Sequence, residues 1–273
     1  MRWPTARLGV SMVRTDLRAA YDASAGAWAA GPERAYRRFA DALLAAAAKA
    51  GLPIGPVVLD LGAGTGVAGR AALAAGADRV ISADVALGML RRCHPDLHPV
   101  ACDAVALPLR SGSADLVVTA FALSHLPDLP ASLSEIRRVG RALAAASFTA
   151  EGSAHPAREV VDEVLRSFGY QPPRWYDWLK NETEPTVADP QAMTHLAARA
   201  GFADVRLSTV TVPTGLSSAT ELVAWRLGMA TVAPFIAGLG HERQSDLRSA
   251  SERAVAAAGC PPLTARLLIL TAW

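Results

Sequence analysis

Val57-Val58-Leu59-Asp60-Leu61-Gly62-Ala63-Gly64-Thr65-Gly66 is the stretch on which the reading of this chain turns. Residues 57–61 are too few for a helix, apolar, and β-branched at their start. They suit a strand buried in a parallel sheet. Gly62 and Gly64 permit a tight turn and let a ligand approach the backbone without meeting a Cβ. Gly66 opens a helix over residues 67–75, whose N-terminal amides favour a polar or anionic group.

A strand, a glycine turn and a helix also describe a dinucleotide site. That fingerprint is G-x-G-x-x-G/A with an acid about 20 residues on. Here Val67 occupies the third small position, and Asp60 precedes the glycines. The string DLGAGTG instead resembles motif I of the Rossmann-like, class I S-adenosylmethionine (SAM)-dependent methyltransferases. A glycine-rich turn with no ligand is the plainer reading, and three further stations weigh against it.

Residues 79–84 (RVISAD) read as a second strand ending in Asp84, which follows Gly62 by 22 residues. An acid there can accept from both ribose hydroxyls, of NAD and SAM alike. Val85-Ala86-Leu87-Gly88-Met89-Leu90 resembles the family's D-x-S-x-x-M-L, in which the apolar residue after the acid and the Met flank the adenine. Ala86 replaces the usual Ser and so removes a helix N-cap. Met89 also fits as plain helix core. Residues 100–102 end a third strand, and Asp103-Ala104-Val105-Ala106-Leu107-Pro108 resembles the adenine-reading D-A-x-x-L-P; a loop cap is the alternative for Asp103. Residues 116–120 form strand four, ending at Ala120. Phe121-Ala122-Leu123-Ser124-His125-Leu126-Pro127-Asp128 then resembles x-x-L-x-H-L-x-D.

Upstream, Tyr21-Asp22-Ala23-Ser24-Ala25-Gly26-Ala27-Trp28 resembles the YD-x-x-A-x-x-Y/W segment of small-molecule methyltransferases. There an aromatic closes over the methionine end of the cofactor; packing inside a helix is the other reading of Tyr21 and Trp28. The resemblance implies an α/β fold: a doubly wound, mostly parallel seven-stranded sheet with helical cap insertions. It implies SAM as cofactor, held by Tyr21, Asp60, Gly62, Ala63, Gly64, Asp84, Val85, Met89, Asp103, Ala104, Ala120 and His125. It implies transfer of the sulfonium methyl, leaving S-adenosylhomocysteine. His125, at the carboxyl end of strand four, is the first candidate for a general base. Orientation or packing is the default for it, and His155 or a cap tyrosine comes second.

The chain has 273 residues, enough for one large domain, with 51% hydrophobic and 19% charged residues, so general disorder is excluded. We read residues 1–50 as an N-terminal helical segment, 51–150 as the SAM-binding core, and 151–273 as the rest of that core with cap insertions. The net charge of +2 and the scattered arginine pairs show no basic stripe, which argues against nucleic acid. No Asn/Asp-Pro-Pro-Tyr/Phe string follows strand four, and this too favours a small-molecule acceptor; one of specialised metabolism is expected from the cap aromatics and composition. Cys93, Cys102 and Cys260 suggest neither a disulfide frame nor a zinc site. His94 and His98 are separated by Pro95 and read as a solvated loop. No apolar leader and no run of about 18 apolar residues is visible, so a soluble, cytoplasmic protein without membrane contact is expected. The oligomeric state is left open.

Residues 1–20 carry little pattern and are expected to be loosely ordered. Residues 32–49 form an amphipathic helix whose Tyr36 and Phe39 read as core. The family's R-P-G-G turn is shortened to Arg138-Val139-Gly140-Arg141-Ala142, which is expected to distort strand five (142–149) or its helix. Helices are expected at 155–168, 189–200, 222–228 and 242–258, strands at 203–212 and 263–273, and loops at 169–179 and 231–240. The inserts 151–200 and 214–262 would cap the strand ends. Trp28, Tyr170, Trp175, Tyr176 and Trp178 are the candidates for an aromatic acceptor pocket. A SAM-binding cyclase or binding protein, an NAD-dependent oxidoreductase and a vestigial site are the competing functional classes.

Overall fold

Two helices, α1 (Thr5–Ala30) and α2 (Glu33–Lys49), precede the first strand, β1 (Val57–Leu61). Then follow α3 (Val67–Ala74), β2 (Arg79–Asp84), α4 (Leu87–Leu90), β3 (Pro99–Ala101), β4 (Ala114–Ala120), α5 (Leu129–Val139) and β5 (Gly140–Phe148). The second half runs α6 (Pro156–Ser167), α7 (Arg174–Trp178), α8 (Glu184–Ala188), α9 (Pro190–Arg199), β6 (Val205–Pro213), α10 (Ala219–Leu227), α11 (Ala233–Ala237), α12 (His241–Ala257) and β7 (Thr264–Ala272). This computed structural model describes residues 5–126, 128–152 and 154–273, with side chains from residue 15 on.

The strands form one seven-stranded sheet in the order β3-β2-β1-β4-β5-β7-β6, parallel except for β7, which runs antiparallel to both neighbours. The order reverses between β1 and β4, and a doubly wound sheet opens a ligand crevice at such a point. Alternation along each strand decides which layer it feeds. Val58, Leu116, Val118, Ala144 and Ile269 join the core under α2, α3, α6, α10 and α12. Leu59, Val117, Leu143, Ala145 and Leu270 join the opposite core under α5 and α9. Each fully buried leucine contributes about 1.5–3 kcal/mol.

Several expectations need correction. Residues 5–20 belong to the long helix α1, which packs on α2, α4, α7, α10 and α11. The tertiary contacts supply what the local pattern lacks; residues 1–4 lie outside the described part. The shortened turn does not distort β5. Helix α5 ends at Val139, β5 starts at Gly140, and Ala114 to Ala120 stay in register with Gly140 to Ala146. A Cβ at Gly140 would lie 2.4 Å from Val117 Cγ2, so glycine is what allows the direct join. The aromatic segment after Pro173 is helical, as α7 and a following π turn (Leu179–Thr183). Residues 231–240 contain α11. Helix α9 is no cap: Met193 and Ala197 pack with α5 and β7 in the sheet's second layer.

The cap left by Ala86 is filled from elsewhere. Gly88 N–H donates to Asp22 Oδ1 at 2.6 Å, so α1 supplies the oxygen that the α4 N-terminus lacks. This approach requires glycine, because a Cβ at Gly88 would lie 2.5 Å from the Asp22 carbonyl oxygen. Gly88→Ala is expected to lower stability by about 1–3 kcal/mol through overpacking. Asp22→Ala should cost about 1 kcal/mol through the lost cap. Urea unfolding of both variants measures this, and wild-type midpoints would refute the cross-helix cap.

Candidate active site

The glycine turn after β1 is held by three carboxylates from three elements. Gly64 N–H donates to Asp84 Oδ2 at 2.7 Å, and Ala86 N–H to Asp84 Oδ1 at 2.8 Å. Thr65 Oγ1–H donates to Glu33 Oε2 at 2.7 Å, while Arg70 donates to Glu33 Oε1 at 2.9 Å and to the Thr65 carbonyl at 3.0 Å. Gly69 N–H donates to Asp60 Oδ2 at 2.7 Å. Gly62, Gly64 and Gly66 all take positive φ, so the turn needs its glycines.

Burial governs the two acids on the sheet. Asp60 is 1% exposed, and desolvation pushes its carboxyl up to about 7 against the pull of the Gly69 amide. Its Oδ1 and the adjacent Ser82 Oγ are buried without a hydrogen-bond partner among the described residues. Asp84 is also raised by burial, opposed by the amides of Ala86, Gly64 and Val85.

Two cavities lie over the carboxyl ends of the strands. All twelve residues expected around a cofactor line the smaller, of 160 Å³: Tyr21, Asp60, Gly62, Ala63, Gly64, Asp84, Val85, Met89, Asp103, Ala104, Ala120 and His125. Asp60 sits beneath the turn and shapes it through Gly69. Val85 stays 39% exposed, so the site continues beyond the enclosed volume. Above Gly64 a Cβ would meet nothing within 4 Å, which leaves that backbone open to a ligand.

The larger cavity, of 580 Å³, lies between the strand ends and the cap. Trp175 and Tyr176 line it, whereas Tyr170 and Trp178 do not. Tyr170 packs on Phe235, and its hydroxyl donates to the Thr231 carbonyl at 3.0 Å. Trp178 packs with Leu17 and Trp175 against α1. Trp28 lines the smaller cavity, its ring 4.7 Å from that of Tyr36. Tyr36 and Phe39 are core residues, yet both also face the larger cavity, as do Phe121, Phe148, Arg158, Glu184 and Arg226. The 3.6-residue period places a side chain on a helix's buried face but does not say whether a wall or a void lies opposite. His155, the second candidate base, is engaged in structure. Its Nδ1 accepts from Ala157 N–H at 3.2 Å, capping α6, and its Nε2 donates to the Pro261 carbonyl at 3.1 Å.

Tyr21, Tyr36, Phe121 and His125 line both cavities and form their common wall. The Tyr21 hydroxyl lies 2.8 Å from His125 Nε2, and Ser124 Oγ lies 3.2 Å from Nδ1. Phe121 takes φ 63°, a strained value for a bulky side chain, where the chain leaves β4. The motif around His125 continues through Pro127, which lies outside the described residues.

Residues 59–144 match a family described as a methyltransferase domain. The chain is 38% identical over 130 residues to a demethylmenaquinone methyltransferase of Beutenbergia cavernae, covering 46% of this chain and 51% of that one. It is 34% identical over 162 residues to the protein of that name from Renibacterium salmoninarum, covering 57% and 65%. The chain therefore spans about half to two thirds of these two relatives' length. The demethylmenaquinone methyltransferase of Mycobacterium marinum matches further, at 30% identity over 203 residues, 70% of this chain and 84% of that one. Among solved structures, a protein of Anabaena variabilis described as a methyltransferase from an antibiotic biosynthesis pathway aligns with a TM-score of 0.57. At 18% identity, over 83% of this chain and 95% of that one, it shows a shared fold.

Desolvation holds the His125 imidazole down at about 4, against a backbone hydrogen bond with Phe121 that favours the proton. The unfolded side chain protonates near 6.5. Between these values the unfolded state binds more protons, so this group lowers stability as the pH falls. Asp60 acts with the opposite sign, since its folded carboxyl holds a proton up to about 7. His125→Asn isolates the histidine contribution. From about pH 7 to about pH 4 the variant should gain roughly 1–3 kcal/mol on wild type, the range reflecting the ring's access to the cavity. Denaturant titrations at the two pH values measure it, and a pH-independent difference would refute the depressed imidazole.

Proposed function

The chain belongs to the class I SAM-dependent methyltransferases, and from that premise we propose that it methylates a small, ring-bearing acceptor bound in the larger cavity. The observation that carries the reading is the common wall. A cavity built on the glycine turn and the strand-end acids meets an aromatic cavity at Tyr21, Tyr36, Phe121 and His125.

The smaller cavity fits SAM in the chemistry of its donors. Asp84 offers carboxylate oxygens for ribose hydroxyls. Asp103 and Ala104 stand at the end of β3, where an adenine edge can be read, and Val85 and Met89 supply apolar flanks. The open backbone at Gly64 is a cradle that a Cβ would fill. When bound, SAM supplies a methyl already activated by its sulfonium, so the protein need not create an electrophile.

The chain's own work is placement and exclusion of water. Holding two reactants in line can contribute several kcal/mol. The rings of Tyr36, Phe39, Phe121 and Phe148 contact one another with centroids 4.5–5.8 Å apart and form a firm apolar floor for an acceptor. The cap is tied over it: Thr183 Oγ1–H donates to the Ser124 carbonyl, and Ser147 Oγ–H to the Val187 carbonyl at 3.1 Å. A side chain with a pKa near 4 is a weak base at neutral pH. His125 therefore acts as a positioning residue, accepting from the Tyr21 hydroxyl and fixing that ring at the junction. The relatives' names favour a quinone-type ring, which the aromatic walls suit.

Calorimetric titration with S-adenosylhomocysteine, and with NAD as control, tests the reading. Micromolar binding of the first alone is expected. Asp84→Asn should weaken it about tenfold or more, the loss of charge-assisted hydrogen bonds. NAD binding, or no binding of S-adenosylhomocysteine to the folded protein, would overturn the assignment.

A further inference from the structure

The aromatic cavity has a charged end. Arg158 and Arg226, from α6 and α10, both line it and share one carboxylate, Asp162. The two claims on Asp162 are unequal. Arg226 Nε donates to Asp162 Oδ1 at 2.6 Å, and its Nη1 reaches Thr231 Oγ1 at 3.3 Å. With a side chain 5% exposed, Arg226 is a neutralised, buried strut. Arg158 Nε is 3.8 Å from Asp162 Oδ2, beyond hydrogen-bond range, and its remaining bond is donated by Nη2 to the neutral Tyr176 hydroxyl. Its side chain is 25% exposed, facing the cavity.

The other charges at this end do not discharge it. Glu184 accepts from Lys180 Nζ at 2.5 Å, and that ammonium also stands 5.6 Å from the centre of the Tyr176 ring. Asp189, at the exposed rim, accepts from Gln191 N–H. Arg158, Arg226 and Lys180 thus face Asp162, Glu184 and, at the rim, Asp189, and among these three cations Arg158 alone has no carboxylate oxygen within hydrogen-bond range among the described residues. A guanidinium whose fork points into such a cavity matches a carboxylate in shape and charge.

We propose that the acceptor carries a carboxylate, which Arg158 binds together with the Tyr176 hydroxyl while the ring of the acceptor lies on the aromatic floor. The proposal deepens the methyltransferase reading and rests on it. Arg158 lines the larger cavity and not the smaller, so its anion belongs to the acceptor and not to the cofactor. Tyr176 acts with it as a specificity residue: its ring closes on Trp175, with centroids 6.0 Å apart, and its hydroxyl aims the guanidinium.

Naphthalene-2-carboxylate and its neutral isostere naphthalene-2-carboxamide, titrated into protein saturated with S-adenosylhomocysteine, test this. The carboxylate is expected to bind about tenfold tighter, the worth of a charge-assisted hydrogen bond. Arg158→Gln should bring the two affinities together, and Arg158→Lys should keep part of the preference. S-adenosylhomocysteine affinity serves as the check on folding and as the separate test of the methyltransferase reading. If it fails in wild type, that reading falls. If it holds and the two probes respond equally, including no response to either at millimolar concentration, the carboxylate proposal alone is overturned. Loss of S-adenosylhomocysteine binding in Arg158→Gln, with Arg158→Lys folded and intact, would assign the guanidinium to the cofactor and also overturn it.

Discussion

The site depends on a short glycine turn being held rigid by carboxylates that reach it from outside. Asp84 holds Gly64 from the end of β2, Glu33 holds Thr65 from the start of α2, and Asp60 holds Gly69 from beneath. Glycines at positive φ lose more conformational entropy on folding than other residues. A turn built of three of them stays ordered only when its neighbours fix it. The cost is visible in Asp60 and Asp84, whose carboxyls burial pushes upward while the backbone amides pull the other way. Two of these groups, Asp60 and Asp84, also line the smaller cavity, so the order of the loop and the chemistry of the site rest partly on the same bonds.

A second constraint links that cavity to the cap. Tyr21 reaches His125 from α1, and Trp175 of α7 packs on the same tyrosine with ring centroids 6.3 Å apart. Helix α1 is thereby pinned near its middle by two adjacent residues, since Asp22 also caps α4. The junction is a composite of segments far apart in the chain: α1, α2, and the turn that leaves β4 through the strained Phe121. Its mixed character suits the meeting of acceptor and methyl donor proposed for it, with little water between them.

How much was legible follows from the range of each interaction. Strand β1, the turn and the acids at the ends of β2 and β3 could be read because strand length, glycine spacing and a terminal carboxylate are local signals. The same holds for the alternating strands and for α2 and α6. The order of α1 was not legible. Its first half has no strong apolar face of its own, and it is held by α4, α7, α10 and α11. The helicity of α7 was masked by Pro172 and Pro173, which precede the helix and do not interrupt it. Tyr170 and Trp178 looked equivalent to Trp175 and Tyr176 in composition, and only the direction of each side chain separates them.

The sequence by itself determined the parallel sheet, the glycine turn and most of the twelve residues expected around the smaller cavity, because all of these but Tyr21 and Met89 lie at or just beyond strand ends that any doubly wound order brings together. It did not determine the larger cavity. That space is closed by α6, α7, α8 and α10, whose positions depend on packing across more than a hundred residues of chain. Charge balance there is a property of distance: Asp162 reaches Arg226 at 2.6 Å and Arg158 only at 3.8 Å. The i,i+4 spacing on α6 would pair Asp162 with Arg158, and the fold instead gives the closer contact to Arg226, 64 residues away in the chain.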